Sequence, residues 1–122
     1  YAAVEALNGP RDEVVAMREA YRRRRNLVIS KLRAILGVKI ADIPATFYAF
    51  PDVSAFLGKK SGNHTINTVD ELCDWLMESH GVTTVPGTAF GAPQSIRLSF
   101  ATSEAELEKA LARIAKGLLE LA

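Results

Sequence analysis

Apolar residues recur at intervals of three and four positions in three stretches of the chain, and this spacing predicts three amphipathic helices. The first covers residues 10–36, because Pro10 suits a first helical turn and Gly37 marks a stop. The other two each open on a Ser or Thr that a Glu follows three residues later, which is the capping-box pattern. They cover about residues 68–80 and 103–121.

Four shorter runs are rich in β-branched and aromatic residues and predict strands at 38–43, 46–51, 82–85 and 95–100. Residues 52–67 are polar and glycine-marked, which predicts a surface loop. The elements then follow one another in the order α-β-β-α-β-β-α. Such an order predicts an α+β or two-layer α/β sandwich, in which helices cover a small mixed sheet.

The composition argues against several classes of function. The chain has 122 residues, 48% of them hydrophobic, which fits one ordinary core. Its net charge of +1 offers no general attraction for nucleic acid, and one cysteine with two distant histidines supplies no ligand set for a metal. No apolar run approaches the roughly 20 residues that a bilayer requires. We therefore expect a cytoplasmic protein with no metal and with neither nucleic acid nor membrane as a partner.

Two features that suggest phosphate binding have simpler explanations. The four arginines at 22–25 point to all sides of a helix, so they predict a solvated surface rather than a binding stripe. The glycines at 87 and 91 precede a strand, whereas a phosphate loop leads into a helix N-terminus. Cys73 and Met77 lie on the apolar side of the second long helix and are predicted to pack in the core.

Arg97 is the residue whose position most suggests chemistry. It lies in the strand candidate 95–100, where apolar residues alternate on one face, so Arg97 and Ser99 share the other face. The preceding loop, VPGTAFGAPQ, is rigid and apolar and would tend to dehydrate the guanidinium. A dehydrated guanidinium needs an anion, and its planar fork suits a carboxylate. The residues alone leave two interpretations open, a carboxylate site and an ordinary exposed strand arginine.

The stretch VPGTAFGAPQSIRLSFATS resembles the C-terminal motif of the class I, fold-type I pyridoxal-phosphate aminotransferases, where a VPG-x-x-FG loop leads into an IR-[LI]-S-[FY]-A strand. The resemblance extends over LNGPRDEVVAMREAYRRRRNLVISKL, TFYAFPDVS and SEAELEKALARIAKGL, and it is strongest to the aspartate aminotransferase branch. It implies the C-terminal small domain of such an enzyme. Residues 1–9 would then be the tail of the interdomain helix and residues 10–122 the small domain, with the large domain outside this sequence.

The same resemblance implies roles for two residues. Arg97 matches the arginine that holds the substrate α-carboxylate, and Phe47 matches an aromatic position that closes over the active site. The family usually has glycine where this chain has Ala45, so we expect a local departure where the strand begins.

The resemblance also implies pyridoxal 5'-phosphate (PLP) as cofactor, an amino acid and a 2-oxo acid as substrates, and a homodimer. None of the lysines lies in the serine-and-glycine setting of the family's Schiff-base lysine, so the catalytic and cofactor-binding residues are expected in the large domain. The segment alone is expected to be inactive. A non-catalytic, amino-acid-sensing module of a transcriptional regulator would fit the same sequence and remains the alternative.

Overall fold

The computed structural model describes residues 1–122 as four helices packed around a small sheet, with a separate hairpin. The helices are α1 (Ala2–Asn8), α2 (Asp12–Arg33), α3 (Val69–His80) and α4 (Glu104–Glu120). The strands are β1 (Tyr48–Ala49), β2 (Lys59–Ser61), β3 (His64–Ile66), β4 (Val85–Pro86) and β5 (Ile96–Ser99). Two short 3-10 turns cover Ser54–Phe56 and Gly87–Phe90.

The sheet has three strands in the order β1-β5-β4, and β2 with β3 forms the hairpin. The α+β class predicted from the sequence is confirmed. The direction of the strands needs one correction, because β5 runs antiparallel to both of its neighbours and the sheet is therefore not mixed.

The core lies between the helices and one face of the sheet. It is a single cluster of 19 buried residues from α2, α3, α4, the strands and the connecting loops. From the sheet itself, Ala49 and Ile96 are fully buried, and Phe100 at the end of β5 is 1% exposed. Because successive strand residues point to opposite faces, Tyr48 and Arg97 point away from this core.

Thr68 and Ser103 both cap their helices as predicted. The reciprocal half of a capping box is absent at both, because Glu71 accepts from the Asn67 N–H at 2.6 Å and Glu106 pairs with Lys109 at 2.8 Å. The Thr68 hydroxyl accepts a hydrogen bond from the Glu71 backbone N–H at 3.2 Å, and the Ser103 hydroxyl accepts one from Glu106 N–H at 3.3 Å. These bonds satisfy backbone donors that the first helical turn leaves free, typically stabilising a helix by about 1 kcal/mol. They fix where α3 and α4 begin.

Three predictions about the loops and strands are wrong. Residues 38–43 form only a single bridge, between Lys39 and Asp52, because no further strand lies alongside them. The strand predicted at 82–85 is reduced to Val85–Pro86. The loop predicted at 52–67 contains the β2–β3 hairpin, whose turn is the Gly62-Asn63 pair. A Gly-Asn pair between two short polar runs is a hairpin signal that the apolar pattern does not carry.

Several apolar residues lie outside the core. Met77 is 47% exposed, so its predicted burial is wrong, because the core side of α3 is occupied by Leu72, Cys73 and Leu76. Helix α1 has no buried residue, and α2 buries only Val28 and Leu32. None of the four helices has both the length and the apolar character that crossing a membrane requires.

We expect the 122-residue chain to fold cooperatively, because α2, α3, α4 and the sheet enclose one continuous core. Thermal unfolding followed by circular dichroism should give one sigmoidal transition. A gradual, non-cooperative loss of signal would contradict this expectation.

Candidate functional site

The Arg97 guanidinium lies against two aromatic rings. Its Cζ atom is 4.6 Å from the ring centroid of Tyr48 and 4.5 Å from that of Phe90. Both distances fall within the roughly 6 Å at which a cation is attracted to an aromatic face. We call Tyr48 and Phe90 the aromatic clamp.

No acidic residue of the chain neutralises Arg97. Its guanidinium forms none of the ion pairs in the structure and donates none of the side-chain hydrogen bonds. The rings hold the charge without accepting its N–H groups in conventional hydrogen bonds. The chain therefore presents a half-buried, permanently charged fork whose N–H groups have no acceptor among its own side chains.

Strand register places Tyr48 beside Arg97. Tyr48 pairs with Ser99, and Val85 pairs with Arg97 on the other side of β5. Tyr48 is therefore a diagonal neighbour of Arg97 on the same face of the sheet, a separation that aromatic and long side chains can span. The alternation along β5 that the sequence predicted is thus present, with Ile96 buried and Arg97 partly exposed.

The tight loop before β5, residues 87–95, places Phe90 against Arg97. Gly87 N–H donates to the Ser95 carbonyl at 2.8 Å, and Ala92 N–H donates to the Gly87 carbonyl at 3.0 Å. A Cβ atom at Gly87 would collide with the carbonyl oxygens of Ala92 and Ser95, so only glycine fits there. The 3-10 turn that carries Phe90 ends at Gly91, which has a φ of +72°.

Two further contacts fix the position of the Phe90 loop. The Thr88 hydroxyl donates to the Asp70 carboxylate, with both oxygens at 3.1 Å, which ties the loop to the first turn of α3. Phe50 packs edge-on against Phe90, with ring centroids 6.0 Å apart. These contacts place the Phe90 ring independently of Arg97.

Phe47 lies next to the clamp. Its ring is 4.3 Å from that of Tyr48 and 6.2 Å from that of Tyr21, and it is 40% exposed. Thr46, just before it, is the one non-glycine residue with a positive φ, at 75°. This strained residue directly follows Ala45, where the sequence led us to expect a local departure. A left-handed conformation costs a β-branched residue about 1–2 kcal/mol.

The site is an open surface rather than an enclosed pocket. A groove of about 350 Å³ borders the clamp, lined by Tyr48, Phe50 and residues 40–46. The largest cavity, about 710 Å³, shares residues 42–44 with this groove, but α2 forms its other side and it includes neither Tyr48 nor Phe90. There an Arg33–Asp42 ion pair of 2.7 Å already satisfies one of the basic side chains. Arg97 thus lies on an open surface of the chain, and neither cavity includes it.

The lysines do not fit a Schiff-base site for an aldehyde cofactor. Five of the six are exposed, and the half-buried Lys59 lies over the Phe56 ring at 5.5 Å. A lysine that forms such an imine at neutral pH must be desolvated or lie beside another cation. None of them contacts the aromatic clamp, so no chemical step at this site is assigned to them.

Cys73 does not fit the role of a nucleophile either. Burial raises the pKa of its thiol, although the Thr84 hydroxyl, 3.0 Å from the sulfur, opposes this effect. The thiol therefore stays protonated at neutral pH and packs as a small apolar group. The prediction that Cys73 belongs to the core is confirmed.

The sequence points to Arg97 and Phe47 but not to the contacts that Tyr48 and Phe90 make with Arg97. In the sequence, Phe90 is one residue of an apolar loop, and Tyr48 lies in another strand candidate. Their contact with Arg97 depends on the pairing of β1 with β5, which alternation within one strand does not determine.

Comparison with known proteins gives consistent matches over the chain. A family model described as "Aminotransferase class I and II" matches residues 1–114. The chain is 44% identical over 115 residues to the aspartate aminotransferase of Rhizobium meliloti, a match that covers 93% of this chain and 28% of that protein. It is 43% identical over 115 residues to an aspartate/prephenate aminotransferase of Cereibacter sphaeroides, covering 93% of this chain and 29% of that protein.

Solved structures give the same result for the fold. The crystal structure of the Rhizobium meliloti aspartate aminotransferase superposes with a TM-score of 0.93 at 42% identity, covering 99% of this chain and 30% of that one. The aromatic aminotransferase of Pyrococcus horikoshii gives a TM-score of 0.84 at 32% identity, covering 98% and 31%. The chain thus spans less than a third of these proteins, and the resemblance inferred from the sequence is confirmed.

Replacing Gly87 by alanine should destabilise the chain by about 2–4 kcal/mol, because a Cβ collides with two backbone carbonyls and breaks the loop's hydrogen bonds. Urea unfolding measures the change. The control is Gly62→Ala, where φ is +58° but nothing lies within 4 Å of the new Cβ, and where about 1 kcal/mol is expected. Equal losses for both variants would contradict the collision.

Replacing Thr46 by glycine should raise the free energy of unfolding by up to about 1 kcal/mol, because relief of the left-handed strain outweighs the entropy that glycine adds to the unfolded chain. Thr83→Gly is the matched control, since Thr83 is exposed and has no positive φ, and it should lose stability. A loss for Thr46→Gly as large as that of the control would show that Thr46 is unstrained.

Proposed function

Because the chain belongs to the class I and II aminotransferase family, we propose that it serves as the small domain of a PLP-dependent, aspartate-type aminotransferase. The whole protein would transfer an amino group from an amino acid to a 2-oxo acid. Residues 1–9 would be the end of the interdomain helix and residues 10–122 the small domain. We further propose a cytoplasmic homodimer in which a large domain binds PLP, and a chain that is inactive by itself.

Arg97 is proposed to bind the α-carboxylate of the substrate. The observation that carries this role is the unneutralised guanidinium held beside two rings on the open face of the sheet. A carboxylate can accept two parallel hydrogen bonds from the guanidinium edge, a charge-assisted geometry that is stronger than a neutral hydrogen bond. Phosphate can also accept two such hydrogen bonds, so the choice of a carboxylate rests on the aminotransferase family to which the chain belongs.

The proposed consequence of this contact is orientation. A carboxylate fixed at two oxygens leaves the substrate's Cα substituents in one arrangement, and such positioning can supply a large part of a catalytic effect. Phe47, which is 40% exposed beside the clamp, would cover the bound substrate and exclude water. The cofactor, when bound by the large domain, supplies the electron sink of the reaction.

The alternative, an amino-acid sensor without catalysis, would use Arg97 in the same way. The aminotransferase names of the relatives favour the enzyme.

In the full-length protein, Arg97→Lys should lower kcat/KM by roughly 30-fold or more, and Arg97→Ala by up to several thousand-fold. Lysine keeps the charge but loses the planar fork, and removing one partner of a desolvated charge pair costs about 2–5 kcal/mol. Steady-state kinetics with aspartate and 2-oxoglutarate measure the change.

The control is Arg23→Ala, since Arg23 is 65% exposed and pairs with Glu104 on the surface. It should leave kcat/KM unchanged, and all three variants should keep the wild-type melting temperature and PLP content. An Arg97→Ala enzyme within about threefold of wild type would refute the role of Arg97.

A further inference from the structure

We propose that Tyr48 and Phe90 are positioning residues for Arg97, holding its guanidinium in the one orientation that binds a carboxylate edge-on. This inference rests on the proposed function, since it concerns how the same site recognises its substrate. It assigns a role in substrate binding to two aromatic residues that need not touch the substrate.

A ring and a carboxylate differ as partners for arginine. An acidic residue would also fix the guanidinium, but it would occupy the N–H groups and cancel the charge that a substrate carboxylate needs. An aromatic ring attracts the cation through its face and leaves the N–H edge available. The clamp therefore immobilises Arg97 without competing for its ligand.

The two rings reach Arg97 from different elements of the fold. Tyr48 reaches Arg97 from the neighbouring strand β1, and Phe90 reaches it from the 3-10 turn before β5. The two rings contact Phe47 and Phe50, respectively, rather than each other. Contacts from two separate elements restrict an arginine side chain more than one contact does. An arginine that is already ordered loses less entropy when a ligand binds.

Contacts with the rest of the fold anchor both rings. Phe90 is held by the Thr88–Asp70 hydrogen bond and by the close packing at Gly87. Tyr48 is held by the pairing of β1 with β5 and by its contact with Phe47, at 4.3 Å. The clamp is therefore part of the folded framework and does not depend on the substrate for its position.

The experiment compares ring removal with ring retention in the full-length protein. Tyr48→Leu and Phe90→Leu remove a ring, whereas Tyr48→Phe and Phe90→Tyr keep it. Each leucine variant should lower kcat/KM by about 3- to 30-fold, the range expected for loss of a cation–π contact, with KM raised and kcat lowered together. Each ring-retaining variant should stay within about twofold of wild type. Leucine variants with wild-type kinetics would overturn the inference.

The same leucine substitutions in the Arg97→Ala protein distinguish an effect through Arg97 from a general effect on the fold. In the Arg97→Ala protein, adding Tyr48→Leu or Phe90→Leu should cause no further loss, because the rings act through Arg97. An equal additional loss in both backgrounds would overturn the inference and show that the rings only support the fold. An Arg97→Ala protein with near wild-type kinetics would instead refute the proposed function itself.

Nuclear magnetic resonance of the 122-residue chain tests the clamp without any activity. Ring currents should displace the Arg97 Nε–H resonance from the position of an ordinary arginine. Either leucine variant should move it back, and the ring-retaining variants should not. A resonance that is the same in all variants would show that the rings do not hold the guanidinium, whatever the kinetics of the full-length protein.

Discussion

The contact of the Arg97 guanidinium with two aromatic rings is the interaction on which the candidate site depends. Arginine does not lose its charge at any accessible pH, so a half-buried arginine must be stabilised by a partner. In this chain the partners are Tyr48 and Phe90, and neither cancels the charge. The protein therefore keeps a positive, unneutralised group against two rings on the open face of its sheet.

Strand β5 connects the core to the candidate site. Successive residues of β5 alternate between the core, where Ile96 is fully buried, and the open face, where Arg97 lies. The three long helices cover only the core face. The loop before β5 then turns back on itself at Gly87, where a side chain would collide with backbone carbonyls, and so delivers Phe90 to the site. Strand β5 thus contributes Ile96 to the core and Arg97 to the candidate site.

Local signals in the sequence predicted the elements that depend on local chemistry. The capping residues Thr68 and Ser103 placed two helices, and alternation placed Arg97 opposite the core. Strand pairing between distant segments cannot be predicted from such local signals. Residues 38–43 have strand-like composition but no neighbouring strand, and the contact of Tyr48 with Arg97 requires the β1–β5 register. The resemblance to aminotransferases identified Arg97 and Phe47, but it did not explain what holds Arg97 in place.

The most direct test of the role of Arg97 is a crystal structure of the full-length protein with an unreactive carboxylic acid analogue of its substrate. If Arg97 holds the substrate, one carboxylate should accept two parallel hydrogen bonds from it, with N···O distances of about 2.7–2.9 Å. Tyr48 and Phe90 should still contact the guanidinium. An analogue whose carboxylates all bind elsewhere would contradict this role, and an Arg97 side chain that leaves the two rings to reach the ligand would contradict its positioning by them.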